Sequence, residues 1–249
     1  METSNESLFM IVASYGGGVN STAMLIGCVE RRLQVDHILF ADTGGELPET
    51  YEFNELFSKW LMDRGMPQIV TVKSPNVTLE QDCLTRHALP SIAYGFATCS
   101  QRFKKEPQEK YLNEITKGNP LPIIKLIGFD AGEWHRIRHD DGLRYPLVEW
   151  GWFRRDCLDA IDRAGLCPPV KSACFFCPMR KKHEIRQLRI KHPDLLQRSI
   201  AMEKNADLTT IKGLGIRWSW DDFAKADEAQ DPLFPDAFAE KPCTCMEGE

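Results

Sequence analysis

The sequence predicts an α/β fold: a parallel-sheet, doubly wound nucleotide-binding core with a C-terminal cysteine-bearing extension packed on it. Three observations predict it. Short apolar runs alternate with amphipathic stretches through the first half, the pattern of a parallel sheet covered on both faces. A glycine cluster separates the first apolar run from the first helix-like stretch. Cysteine and proline gather in the loop Cys167–Pro178, CPPVKSACFFCP.

The 249 residues suffice for one large domain, or one domain with a small appendage. No internal repeat and no long linker divide them, so the expected organisation is a core over 1–150 and an extension over 151–249. Leu8–Ser14 reads as a buried strand; it is far too short for a signal or membrane segment. With no targeting signal, a cytoplasmic location and no membrane partner are expected. Ser21–Arg32 follows as a helix, with Ala23, Met24, Leu25, Ile26 and Val29 mostly on one side. Asp36–Ala41 is a second strand, Pro48–Arg64 an amphipathic helix opened by proline, and Gln68–Val72 a third strand. Glu106–Thr116 reads as a helix and Ile123–Phe129 as a fourth strand. Regularity weakens after Asp130, where Trp152–Ala164 and Lys182–Lys191 are the expected helices. The formal net charge of −5 disfavours a general hold on nucleic acid. The basic run Met179–Lys191 leaves a local one open, although a solvated helix face is its simpler reading.

Chemistry concentrates first in Ser14–Ser21. Gly16, Gly17 and Gly18 permit a tight turn and close backbone approach, and Asn20 and Ser21 can cap the helix that follows. Free N–H groups at a helix start attract a phosphate. A structural turn is the bland alternative. A Walker loop is excluded by the missing Gly-Lys-Ser/Thr ending, and a dinucleotide fingerprint meets Ser21 where its third glycine belongs. The second strand ends at Asp42, so Asp42, Thr43 and Gly44 are candidates for ribose, base or phosphate contacts. After the fourth strand, Gly128 and the Glu133-Trp-His-Arg136 run can meet a phosphate, sulfate or ribose. Cys174-x-x-Cys177 reads alone as half of a zinc or iron–sulfur site or as a redox pair. With Cys99 it makes three thiols, and Cys245 or Cys243 can supply a fourth. Cys28, Cys83 and Cys157 fall on helix-like segments and read as packed residues; Cys167 is a reserve ligand.

These segments resemble a known group. Gly16-Gly17-Gly18-Val19-Asn20-Ser21 resembles the PP-loop, departing from it at the first serine and at Asn20, where ATP pyrophosphatases usually carry aspartate. Asp42-Thr-Gly…Pro48-Glu-Thr-Tyr51 resembles the corresponding segment of phosphoadenylyl-sulfate (PAPS) reductases. Cys99-Ser-Gln-Arg-Phe-Lys-Lys-Glu-Pro107 is similar to their Cys-Cys-x-x-x-Lys-x-x-Pro segment, with Ser100 for the second cysteine. Lys171–Pro178 and Gly215–Trp220 resemble their later Cys-x-x-Cys and Gly-Arg-Trp segments, and Pro242-Cys-Thr-Cys245 stands where they carry a catalytic cysteine. The resemblance implies an adenine-nucleotide-binding core and a 4Fe–4S cluster on Cys99, Cys174, Cys177 and Cys245, with Cys243 as the alternative fourth ligand; Zn²⁺ is the alternative metal. It implies catalytic roles for Cys243, Cys245 and Lys104, and nucleotide contacts at Ser14, Gly16, Gly17, Gly18, Asn20, Ser21, Asp42, Thr43, Gly44, Gly128 and Arg136. Two enzyme readings follow: reduction of PAPS or adenylyl sulfate (APS) with a thiol electron donor, or ATP- and Mg²⁺-dependent adenylation of a substrate that then receives sulfur from a donor. A non-catalytic nucleotide- or nucleic-acid-binding protein with a structural metal is the third.

Overall fold

A computed structural model describes residues 9–118 and 121–229. Five parallel strands form one sheet in the order β3-β2-β1-β4-β5. They are β1 (Met10–Tyr15), β2 (His37–Asp42), β3 (Ile69–Lys73), β4 (Ile123–Ile127) and the two-residue β5 (Leu143–Arg144). The helices are α1 (Val19–Glu30), α2 (Pro48–Met62), α3 (Leu79–Thr85), the single turn α4 (Thr98–Ser100), α5 (Glu106–Ile115), α6 (Pro146–Glu149), α7 (Arg154–Arg163), α8 (Lys182–Lys191), α9 (Pro193–Asn205) and α10 (Trp220–Ala229).

The strands alternate faces residue by residue, as a pleated backbone requires. Ala13, Ile38, Phe40 and Leu126 pack into a core with α1, α2 and α7, whereas Val12 and Leu39 face Leu112 of α5 on the other side. The sheet is therefore covered on both faces, as the apolar runs predict. A second core gathers Leu79, Cys83, Leu89 and Phe103 with Cys174, Phe175, Phe176, Ile185, Leu196, Leu214 and Trp220. It does not follow a boundary at residue 150. Helix α7 joins the first core, and residues 79–103 join the second.

Several sequence expectations shift. Helix α1 starts at Val19, two residues before the expected Ser21, because Gly18 in an extended conformation is the N-cap. Asn20 and Ser21 lie inside the first turn and do not cap it. Beyond Asp130 the chain is more regular than its composition suggests, since α9 and α10 complete the second core. Pro193 at the first turn of α9 was a readable start signal. The turn that follows α9 closes on a buried carboxylate: Glu203 accepts from the backbone N–H of Leu214 (2.7 Å), Trp220 (2.9 Å) and Asp221 (3.2 Å) and from the Ser219 hydroxyl (2.6 Å).

Candidate functional site

Strand order reverses at β1: the chain runs outward through β2 and β3, then returns to place β4 on the other flank of β1. The crevice beyond the ends of β1 and β4 is where open α/β sheets take ligands. The glycine loop 16–18 lies there. Gly17 has φ +72°, and a Cβ on it would come within 3.1 Å of Thr50 and 3.3 Å of Phe40, so the loop presses on β2 and α2. The Ser21 hydroxyl accepts from Gly16 N–H (3.2 Å) and donates to the Gly18 carbonyl (3.1 Å), which fixes the loop from within. No side chain caps the first turn of α1, and uncapped N–H groups at a helix start suit an anion.

The loop after β4 is built against this turn. A Cβ on Gly128 would lie 2.8 Å from Ser21 Cα and 2.9 Å from its nitrogen, so only glycine fits. Asn20 donates to Asp130 and to Glu133, 3.0 Å each, and accepts from Arg154 at 2.8 Å. Arg136 pairs with Glu133 and lies over the Phe129 ring, 4.0 Å from its centroid. Asp130 and Glu133 form a capping box.

Two adjoining clefts open here. The first, about 700 Å³, is lined by Gly16, Gly18, Asn20, Ser21, Gly128 and Arg154 among others. The second, about 1030 Å³, is lined by Lys105, Gln108, Lys125, His135, Arg138 and Tyr145 among others. Ser14, Lys104, Ile127, Phe129 and Arg136 border both. The Ser14 hydroxyl donates to Gln108 Oε1 at 3.1 Å.

The β2–α2 turn behaves differently. Asp42 accepts from Gly44 N–H (2.7 Å) and the Tyr51 hydroxyl (2.8 Å) and lines neither cleft. Gly44, at φ +75°, packs against Thr78. Thr43 takes no ligand-facing position either: its Oγ1 lies 3.1 Å from Cys174 Sγ. The turn is the seat of the cysteine segment, with Phe175 N–H donating to the Gly45 carbonyl at 2.7 Å. Arg180, buried, donates to the carbonyls of Cys174 (3.0 Å) and Ala173 (2.8 Å). Ser172 in turn donates to the Gly16 carbonyl, so the cysteine segment touches the glycine loop directly.

Cys174 belongs to the second core, and Cys99 and Cys177 pack against it. Among the described residues, no group of three or more His, Cys, Asp or Glu is gathered closely enough to hold a metal ion. Cys243 and Cys245 lie outside the described residues. Burial pushes the Cys174 thiol up to about 12 and raises Cys177 as well. Lys104 sits at the meeting point of all these parts. It belongs to a π-helical stretch, Gln101–Lys105, between α4 and α5, the kind of bulge that re-aims side chains. Its ammonium lies 3.6 Å from the buried Glu46 carboxylate.

Of the sequence candidates, Ser14, Gly16, Gly18, Asn20, Ser21, Gly128, Arg136 and Lys104 border one continuous cleft system. Gly17 shapes the loop from behind, Asp42 bonds Gly44 and Tyr51 within the β2–α2 turn, and Thr43 meets Cys174. Sequence reasoning missed Gln108, Arg154, Ser172, Glu46 and Asp130. The Asp130-x-x-Glu133 capping box was legible; the others reach the site by tertiary packing alone. The basic run resolves into structure, with Arg186 and Arg189 paired to Asp227. Cys28, Cys83 and Cys157 are fully buried, and burial pushes each thiol up to about 12. Alkylation of the native protein with iodoacetamide at pH 8, read by mass spectrometry, is expected to leave these three unmodified and to label them only after denaturation; native labelling would contradict the packing.

No family model matches the sequence. The chain is 27% identical over 215 residues to the "Uncharacterized nin region protein ORF290" of Escherichia phage lambda, across 75% of this chain and 71% of that protein. Among solved structures, it is similar to a PAPS reductase from Candida auris in a phosphate complex, at 16% identity and a TM-score of 0.46, over 64% of this chain and 74% of that one. It is also similar to the U34-tRNA thiolase NcsA from Methanococcus maripaludis, whose structure carries its 4Fe–4S cluster, at 13% identity and a TM-score of 0.45, over 96% and 81%. The chain is an α/β protein with a five-stranded, all-parallel sheet wrapped by helices.

Proposed function

We propose that this protein is an adenine-nucleotide-dependent enzyme of the PP-loop, PAPS reductase-like kind. Its main reaction is adenylation: ATP binds in the first cleft, and a substrate in the second cleft attacks the α-phosphorus. The observation that carries the reading is the glycine loop with its uncapped helix start, opening onto a cleft that continues into a second one. The N–H groups of the first turn of α1 hold phosphate oxygens, and Mg²⁺ neutralises the remaining charge. Lys104 and Arg136, shared by both clefts, face the charge that grows as pyrophosphate leaves. Lys105, Lys125 and Arg138 favour an anionic substrate. Adenylation prepares that substrate for a sulfur donor.

The second reading is reduction of PAPS or APS. It is favoured by Cys174 and Cys177 standing beside Lys104, and it assigns thiol chemistry to Cys243 or Cys245 with a thiol as electron donor. For either reading we attach a 4Fe–4S cluster to Cys99, Cys174, Cys177 and one tail cysteine, with Zn²⁺ as the alternative. The soft donor set suits both metals, but the three described thiols would have to converge to hold either one.

The test is calorimetric titration of anaerobically purified protein with Mg²⁺-ATP and with PAPS, followed by product analysis and assay of iron, sulfide and zinc. AMP as the product from ATP supports adenylation; sulfite release from PAPS with dithiothreitol supports reduction. Binding of neither nucleotide at millimolar concentration ends both readings.

A further inference from the structure

We infer that Glu46 is a positioning residue, a buried carboxylate that holds the Lys104 ammonium at the junction of the two clefts, near Cys174 and Cys177. Its functional consequence rests on the nucleotide reading above; the contact itself rests on geometry.

The Glu46 side chain has 0% exposed surface, and Lys104 Nζ lies 3.6 Å from its Oε1. Neither carboxylate oxygen has a hydrogen-bond partner among the described residues. A carboxylate removed from water without hydrogen bonds is strongly disfavoured unless a cation answers it. Lys104 is the cation at ion-pair distance. Arg180, a buried cation nearby, is occupied by the carbonyls of Ala173 and Cys174. Arg198 is occupied by Glu80, 3.0 Å from its Nε.

Both partners have fixed backbones. Glu46 follows Gly45, whose carbonyl accepts from Phe175 and whose Cα has no room for a side chain: a Cβ there would lie 2.7 Å from the Phe176 ring. Lys104 follows Phe103, which is anchored in the second core. Burial pushes the Glu46 carboxyl up, with Lys104 opposing it. Burial also works against the Lys104 charge, but Glu46 opposes it and the ammonium is held above its ordinary range. Without Glu46, the long lysine side chain would be free to follow other anions, including Glu109 across the second cleft. With it, one ammonium is kept where both clefts can use it. Preorganising a charge in this way is worth more than its mere presence.

The test combines two measurements on the full chain. The first is a denaturation cycle in urea with Glu46→Gln, Lys104→Met and the double variant. Lys104→Met strands a buried carboxylate and should lower the midpoint most; the double variant should recover much of that loss. Additive losses would overturn the contact. The second is ATP affinity by calorimetry, using variants that remain folded by circular dichroism. Glu46→Gln should weaken ATP binding by roughly tenfold, Glu46→Asp should restore part of it, and the double variant should bind no worse than Lys104→Met alone. ATP affinity unchanged in Glu46→Gln would overturn the positioning role. Failure of the wild-type protein to bind ATP would end the nucleotide reading and the functional half of this inference, while the denaturation cycle still decides the contact.

Discussion

Replacing Gly128 with alanine is expected to abolish measurable ATP binding and to cost about 2 kcal/mol of stability. The added methyl would meet backbone, not a side chain that can swing away: Ser21 Cα at 2.8 Å, Ser21 N at 2.9 Å and the Asn20 carbonyl carbon at 3.2 Å. Relief requires the β4 loop and the first turn of α1 to separate. That same movement breaks the hydrogen bonds from Asn20 to Asp130 and Glu133 and displaces the N–H groups proposed to hold phosphate. Gly142 is a fitting control, because its Cβ would meet its neighbours at 3.4 Å. Calorimetric titration with ATP and urea denaturation of both variants check the claim. A Gly128→Ala protein that binds ATP normally would show that the cradle lies elsewhere.

The second large effect is expected at Glu203. One buried carboxylate satisfies three backbone N–H groups and a serine hydroxyl across the turn between α9 and α10. Glu203→Ala removes charge-assisted bonds and leaves buried donors without acceptors, so a loss of about 3 kcal/mol or more is expected. A substituted glutamine keeps the shape but not the acceptor capacity, and its loss should be intermediate. The Gly213 position shows how closely the turn is moulded to this side chain, since a Cβ there would collide with the Glu203 carboxylate. Urea midpoints of both variants measure the effect. A loss below about 1 kcal/mol would mean that water replaces the carboxylate.

The sheet was legible in the sequence because parallel strands buried on both faces must be short apolar runs. Ile38-Leu-Phe-Ala41 has no other reading once a helix pattern follows it. The glycine loop was legible because Gly16–Ser21 sits between two such periods. Asp42-Thr43-Gly44 was legible as a polar turn at a strand end, but its bonds to Tyr51, Gly44 and Cys174 come from tertiary packing. Glu46 was invisible for the opposite reason. A lone glutamate in a turn reads as surface, and only tertiary packing puts it under Lys104. Ser172 reaches the glycine loop across a sequence gap that no local pattern spans. Gly128 stood out as the end of a strand, but the reason for glycine there is the backbone of a helix far away in the chain.

The second core is assembled from stretches that flank β4 in the sequence, Leu79–Phe103 before it and Cys174–Ala224 after it. During synthesis, the earlier stretch leaves the ribosome well ahead of the partners that will cover it. Its apolar side chains must wait through the emergence of β4, β5 and α7, which favours slow, late completion and gives chaperones a surface to hold. Lys104 and Cys174 sit at that late seam, so the sheet and its glycine loop can take shape before the walls that Lys104 and Ser172 add to the first cleft.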